Sequence, residues 1–201
     1  GVQAVDMATG LDGWLYRTLE PVVDLQVEGS GRLAQVVAVS ADGLVVALPA
    51  RPARGFTPKV ENWHDRLRGA RVSSRMAISG DNLVIPGEDM FLYCLHAKSG
   101  IIRWKYPAGS RFVDADPVAA GGSVYCRSEA NFVAVDLETG TLQWEAEDVE
   151  RFITRIGERC YVETTPGTVS VRMAADGTEV ASFSVSDLRH VPTIPGGGFF
   201  L

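Results

Sequence analysis

The stretch Ala134-Val135-Asp136-Leu137-Glu138-Thr139-Gly140, followed by Trp144, decides the fold. It reads as a short apolar strand, an acidic residue, a Thr-Gly turn and a second strand that carries an indole. Asp136 is placed to accept hydrogen bonds from the backbone of the turn that follows it. Gly140 suits a positive φ, which residues with a Cβ resist. Trp144 offers a large apolar area and one N–H that needs a partner when buried.

The phrase recurs along the chain. It reads Ala4-Val5-Asp6-Met7-Ala8-Thr9-Gly10 before Trp14, and Cys94-Leu95-His96-Ala97-Lys98-Ser99-Gly100 before Trp104, with His96 in the acidic slot. A decayed copy is Val171-Arg172-Met173-Ala174-Ala175-Asp176-Gly177, with Arg172 read into the slot and Phe183 in place of the indole. Gly100 to Gly140 spans 40 residues, Gly140 to Gly177 spans 37, and Gly10 to Gly100 spans 90, or two units of 45. The hidden unit reads as a strand at 34–39, a turn at Ala41-Asp42-Gly43 and a strand at 44–48.

Each unit also carries an earlier strand pair: 75–85 around Gly80, 116–126 around Gly121-Gly122, 152–162 around Gly157, and 191–201 around Gly196-Gly197-Gly198. A period near 40 with short apolar strands is the range of propeller blades. The expectation is a single all-β domain over 1–201, a β-propeller of about five four-stranded antiparallel blades. The blade pieces are 1–20 plus 188–201, 21–67, 68–109, 110–148 and 149–187. The N-terminal and C-terminal strands either join to close the ring or belong to a larger ring completed by a partner or by self-association. With no initiator Met, the chain reads as a processed or partial piece.

The phrase A-V-D-x-x-T-G-x-x-x-W resembles the PQQ-like (quinoprotein-type) propeller repeat. Similar repeats occur in quinoprotein alcohol dehydrogenases and in the outer-membrane assembly lipoprotein of the β-barrel assembly machine. The resemblance is clear at 80–106 and 120–146, recognisable at 1–16 and 157–183, and poor at 21–67. It implies that Trp14, Trp104 and Trp144 each dock one blade onto the next, with Asp6, Asp136, Gly10, Gly100 and Gly140 shaping the turns. It also implies a periplasmic or extracytoplasmic location.

Composition narrows the function. The chain is 46% hydrophobic and 22% charged, with 21 glycines and a net charge of −6. That balance excludes a general nucleic-acid binder, which needs a basic face. No apolar run reaches the roughly 18 residues of a membrane helix. His64, His96 and His190 have no zinc-ligand spacing, and no nucleophile or phosphate-loop motif is present. A quinoprotein enzyme would need a larger ring and vicinal cysteines. Asp114 and Asp116, beside Pro117, read mainly as strand-end carboxylates, with cation binding at a central channel as the sharper reading. Cys94, Cys126 and Cys160 form no C-x-x-C pair and read as buried small hydrophobes. Cys126 and Cys160 read as matching positions on successive sheets about 10 Å apart, too far for a disulfide.

One segment breaks the charge pattern. Residues 51–75 hold seven cations against Glu61 and Asp65, a balance of +5 in a chain of −6, so the remainder carries −11. The segment also holds Pro52, Pro58, Phe56 and Trp63. Arginine and aromatic residues on a loop are common interface anchors. Arg51, Arg54, Phe56, Lys59, Trp63, Arg66 and Arg68 are therefore the candidate partner contacts. The competing reading is a solvated loop with Trp63 displaced into the docking role. Together these readings favour a non-catalytic, protein-binding scaffold with no cofactor or metal. The alternatives are a quinoprotein-like enzyme fragment and a ligand-sensing module.

Overall fold

The computed structural model describes residues 1–5, 7, 12–50, 61–67, 69–112 and 115–185. Among these, four four-stranded sheets and one two-stranded sheet follow one another along the chain, each antiparallel. Blade 1 is β1 (Val2–Val5) and β2 (Asp12–Tyr16). Blade 2 is β3 (Val22–Glu28), β4 (Gln35–Ser40), β5 (Leu44–Pro49) and β6 (Trp63–Arg66). Blade 3 is β7 (Ala77–Ser79), β8 (Asn82–Pro86), β9 (Phe91–His96) and β10 (Ile102–Pro107). Blade 4 is β11 (Val118–Ala120), β12 (Ser123–Arg127), β13 (Phe132–Asp136) and β14 (Leu142–Ala146). Blade 5 is β15 (Arg151–Ile156), β16 (Arg159–Thr165), β17 (Thr168–Met173) and β18 (Glu179–Ser184). The fold is a β-propeller. The strands read at 188–201, with Asp6 and Gly10, lie outside the described residues. No helix among the described residues is long and apolar enough to cross a membrane.

The central strands of blades 2, 3 and 4 are apolar at successive positions because both faces of these sheets are covered by a neighbouring sheet. Val124 and Cys126 of β12 pack with Leu92, Cys94 and Trp104 of blade 3. Their neighbour Tyr125 points the other way and packs with Phe152, Cys160 and Val162 of blade 5. Blades 2 and 3 share a core of Val37, Val45, Leu83, Ile85 and Leu95. Val2 and Trp14 of blade 1 pack on Ala38, Val46 and Leu48 of blade 2.

Every indole sits at the same structural position. In register, Trp14 faces Ala4, Trp63 faces Ala47, Trp104 faces Cys94 and Trp144 faces Ala134. A small residue on the adjoining strand lets the ring lie flat across the sheet. Each Nε1–H donates to a backbone carbonyl of the following blade: Trp14 to Pro49 (3.1 Å), Trp63 to Ala97 (3.1 Å), Trp104 to Leu137 (3.0 Å) and Trp144 to Ala174 (3.0 Å). Burying on the order of 200 Å² of ring is worth about 5 kcal/mol at the junctions of Trp104 and Trp144, where the indole is buried; Trp14 and Trp63 are half-buried and contribute less.

Four details differ from the sequence reading. Ala41-Asp42-Gly43 joins β4 to β5, so it is the turn before the motif strand; the motif turn of blade 2 is the longer connection from β5 to β6. Met173, not Arg172, holds the acidic slot of blade 5, because Gly177 N–H bonds Met173 O as Gly140 N–H bonds Asp136 O. Ala181, not Phe183, stands at the indole position, opposite Val171. Cys126 and Cys160 are two residues out of phase and belong to different cores, which Val124 and Cys160 show by their equivalent places after the turn. All three cysteines are free and buried. The first difference reflects the long β5–β6 connection; in blade 5, Met173 stands four residues before Gly177 and Ala181 four after it, as Asp136 and Trp144 stand around Gly140.

Candidate functional site

The acidic slot is a turn device. Asp136 Oδ1 accepts the N–H of Glu138 (3.1 Å), the N–H of Thr139 (2.8 Å) and the Thr139 hydroxyl (2.8 Å). These Thr139 bonds hold its carboxyl below the ordinary value. In blade 3, His96 Nδ1 makes the equivalent contact to the Ser99 hydroxyl at 2.8 Å. The turn glycines have a second role that the sequence does not suggest. A Cβ on Gly100 would stand 2.4 Å from the Trp63 ring, on Gly140 2.7 Å from Trp104, and on Gly177 2.8 Å from Trp144. Each of these three indoles thus lies directly on the next turn, and only glycine leaves room for it.

Trp63 is therefore a docking residue, and its indole is not available to a partner loop. Arg66 is held by Asp42 at 2.6 Å. Arg51, Arg54, Phe56, Lys59 and Arg68 lie outside the described residues. β5 ends and β6 begins at the end of the sheet where the motif turns lie.

The opposite end holds a cavity of about 700 Å³ where the first strands of blades 3, 4 and 5 converge. Arg75, Asp116, Arg127, Glu129, Glu150 and Arg151 line it. The Asp116 carboxylate accepts the Arg75 backbone N–H at 3.1 Å and lies 3.7 Å from the Arg75 guanidinium. Arg151 binds Glu163. Burial pushes the Glu163 carboxyl up, but the bonds from Arg151 and from Gly167 N–H outweigh it and hold it low. Below the cavity, Tyr125 and Phe152 stack with centroids 4.3 Å apart. Sequence reasoning singled out Asp116 here but not Glu129 or Glu150, which sit in loops without any motif.

Among the described residues no three His, Cys, Asp or Glu side chains come together as a metal site. Asp116, the candidate cation ligand, is already paired with a guanidinium; Asp114 lies outside the described residues. Burial pushes the Cys94 thiol up to about 12 and raises Cys126 and Cys160 as well. A thiol so raised carries little thiolate at neutral pH and is a poor nucleophile. His64 contacts Glu61 at 3.3 Å; His190 lies outside the described residues.

The family model described as outer membrane protein assembly factor BamB matches residues 1–192. Among solved structures, BamB from Moraxella catarrhalis superposes with a TM-score of 0.66 at 18% identity, over 88% of this chain and 57% of that one. A quinohemoprotein alcohol dehydrogenase from Pseudomonas putida HK5 gives 0.56 at 14% identity, over 75% of this chain and 32% of that one. A europium-containing methanol dehydrogenase gives 0.62 at 10% identity, over 90% of this chain and 47% of that one. The chain thus spans only about a third to three fifths of these structures. At these identities the likeness is one of fold. No curated protein matches the sequence.

Proposed function

The chain belongs to the family of the outer membrane protein assembly factor BamB, and from that premise we propose that it is a non-catalytic, protein-binding propeller of the cell envelope. One observation carries the reading. The residues that define the repeat are occupied in turn shaping and blade docking, and each described indole N–H already has a backbone partner. What the scaffold leaves for function is its loops. Loops on a rigid frame are where recognition is commonly placed.

The 51–60 connection is the proposed partner contact, with Arg51, Arg54, Phe56 and Lys59 as anchors. Its basic charge suits an acidic partner surface in a chain that is acidic elsewhere. A photo-cross-linking residue at position 56, in intact cells, tests this. Adducts with an envelope protein at 56, lost in Arg51→Ala/Arg54→Ala and absent when the probe is at Lys98, support the reading. Equal labelling from both positions removes the loop as the site.

The fold match to dehydrogenases favours a second reading, an oxidoreductase fragment. That reading needs a carboxylate free to ligate a cation, and the Arg75–Asp116 pair does not fit it. Saturable heat on titrating calcium with a quinone into the protein would restore it.

A further inference from the structure

The outer edge of blade 5 differs from those of its neighbours. β6, β10, β14 and β18 are each the last strand of a sheet, so one side of each offers backbone N–H and C=O groups to another strand. Charge and proline blunt the first three edges. β6 carries Asp65 and Arg66, β10 carries Arg103, Lys105 and a terminal Pro107, and β14 carries Glu145. β18 carries only Glu179, at its first residue. From Val180 to Val185 the chain has neither charge nor proline, and Val180, Phe183 and Val185 are 48%, 47% and 36% exposed. An edge of that composition invites pairing.

The backbone fixes which groups are free. Val185 N–H donates to Gly167 O at 2.8 Å, so Val185, Phe183 and Ala181 turn their backbone groups toward β17. Ser182 and Ser184 turn theirs to the open side. The bulge at the start of β18 has counterparts in β2, β10 and β14, and it leaves 181–185 regular. Ala181 and Phe183, opposite Val171 and Val169, share the leading face of the sheet, the one turned away from blade 4. Val185 follows them by alternation, and Ser182 and Ser184 lie on the other face.

This strip is complementary to itself. About a two-fold axis at Phe183, antiparallel pairing sets Ser182 of one copy opposite Ser184 of the other, and both exchange backbone bonds. Phe183 faces Phe183 as the close pair, and Ala181 faces Val185 on the same side. Apolar residues meet apolar ones on one face and serines meet serines on the other. Glu179 lies beyond the paired run. We propose that the outer edge of β18 is a self-association site, which joins two copies of this chain through residues 181–185. The contact is isologous and closes at two copies. Its small area makes the dimer reversible.

Cysteine pairing tests the register. Residues opposed in such a bonded pair are about 5.5 Å apart at Cα, within the span of a disulfide. Ser182→Cys mixed with Ser184→Cys gives a linked dimer under mild oxidation, and either variant alone stays unlinked because its cysteine faces a serine. The native cysteines are buried and do not compete. Linking by either variant alone overturns the pairing, as does an unlinked mixture. Sedimentation gives a second readout. The unaltered chain forms a dimer that dissociates on dilution. Phe183→Lys and Phe183→Glu each set like charges opposite one another and weaken it at least about tenfold, and mixing the two restores it. A chain that stays monomeric up to about 1 mM, or a dimer unchanged in both variants, overturns the proposal. So does a mixture that stays monomeric while both variants keep the circular dichroism of the unaltered chain.

Discussion

The junction between blades 4 and 5 and the leading face of blade 5 are built on equivalent strands in equivalent register. At the junction, Trp144 is buried over Ala134 and bonded to Ala174 O. On the leading face, Val171 and Ala181 occupy the same two places, and every residue of β18 is exposed. Hydrophobicity alone does not separate them, since Val180, Phe183 and Val185 are all apolar. The difference is a pairing of sizes, a ring against a small residue, together with a single donor that finds a carbonyl across the gap. Docking in this chain is a property of that pair and of the glycine beneath it.

The largest effect expected from breaking the junction is that of Trp144→Ala. It removes the ring and leaves the Ala174 carbonyl without its donor, for about 3–5 kcal/mol of stability read from the urea midpoint. Gly140→Ala comes next. Its φ of +73° is unfavourable for alanine, and the new Cβ meets the Trp104 ring, so the loss is about 1–3 kcal/mol. A loss below about 0.5 kcal/mol would separate the turn from the docking.

Asp136→Ala is expected to lose roughly 0.5–1 kcal/mol at pH 7, since the carboxylate serves an exposed turn. Because the Thr139 bonds lower the folded pKa, that stability is present above the unfolded carboxyl value near 4. It disappears as pH falls through the folded value. Stability curves of the two proteins should therefore converge in acid, and a constant gap down to pH 2 would contradict this. The smallest effect is that of Phe183→Ser, within about 0.5 kcal/mol, because half of the ring is open to solvent. A large loss there would mean that the leading face docks through Phe183, as the junction does through Trp144.

The regions differ in how far their sequence could be read. Blades 3 and 4 were legible to the residue, because Asp136, Gly140 and Trp144 each meet a local demand. Blade 5 was legible only to within two residues. The bulge between Val171 and Arg172 matches the one between Ala134 and Val135, but neither Met173 nor Ala181 announces its slot by residue type. Trp63 was placed correctly by one of two readings; its thirteen-residue separation from Ala50 hid the turn that precedes it. The cavity rim was least legible. Glu129 and Glu150 are ordinary loop residues until three inner strands bring them near one another.

The sequence by itself determined the strand count per unit and the turns; the blade-to-blade use of tryptophan came from the family resemblance. Strands and turns follow from short-range chemistry: alternation along a strand, the φ a glycine permits, the bonds an aspartate offers to its own turn. Only the tertiary structure decided which glycine lies under which ring and that Arg75 neutralises Asp116. These depend on how separate sheets pack face to face, and contacts between residues forty positions apart leave no trace in the spacing of either one.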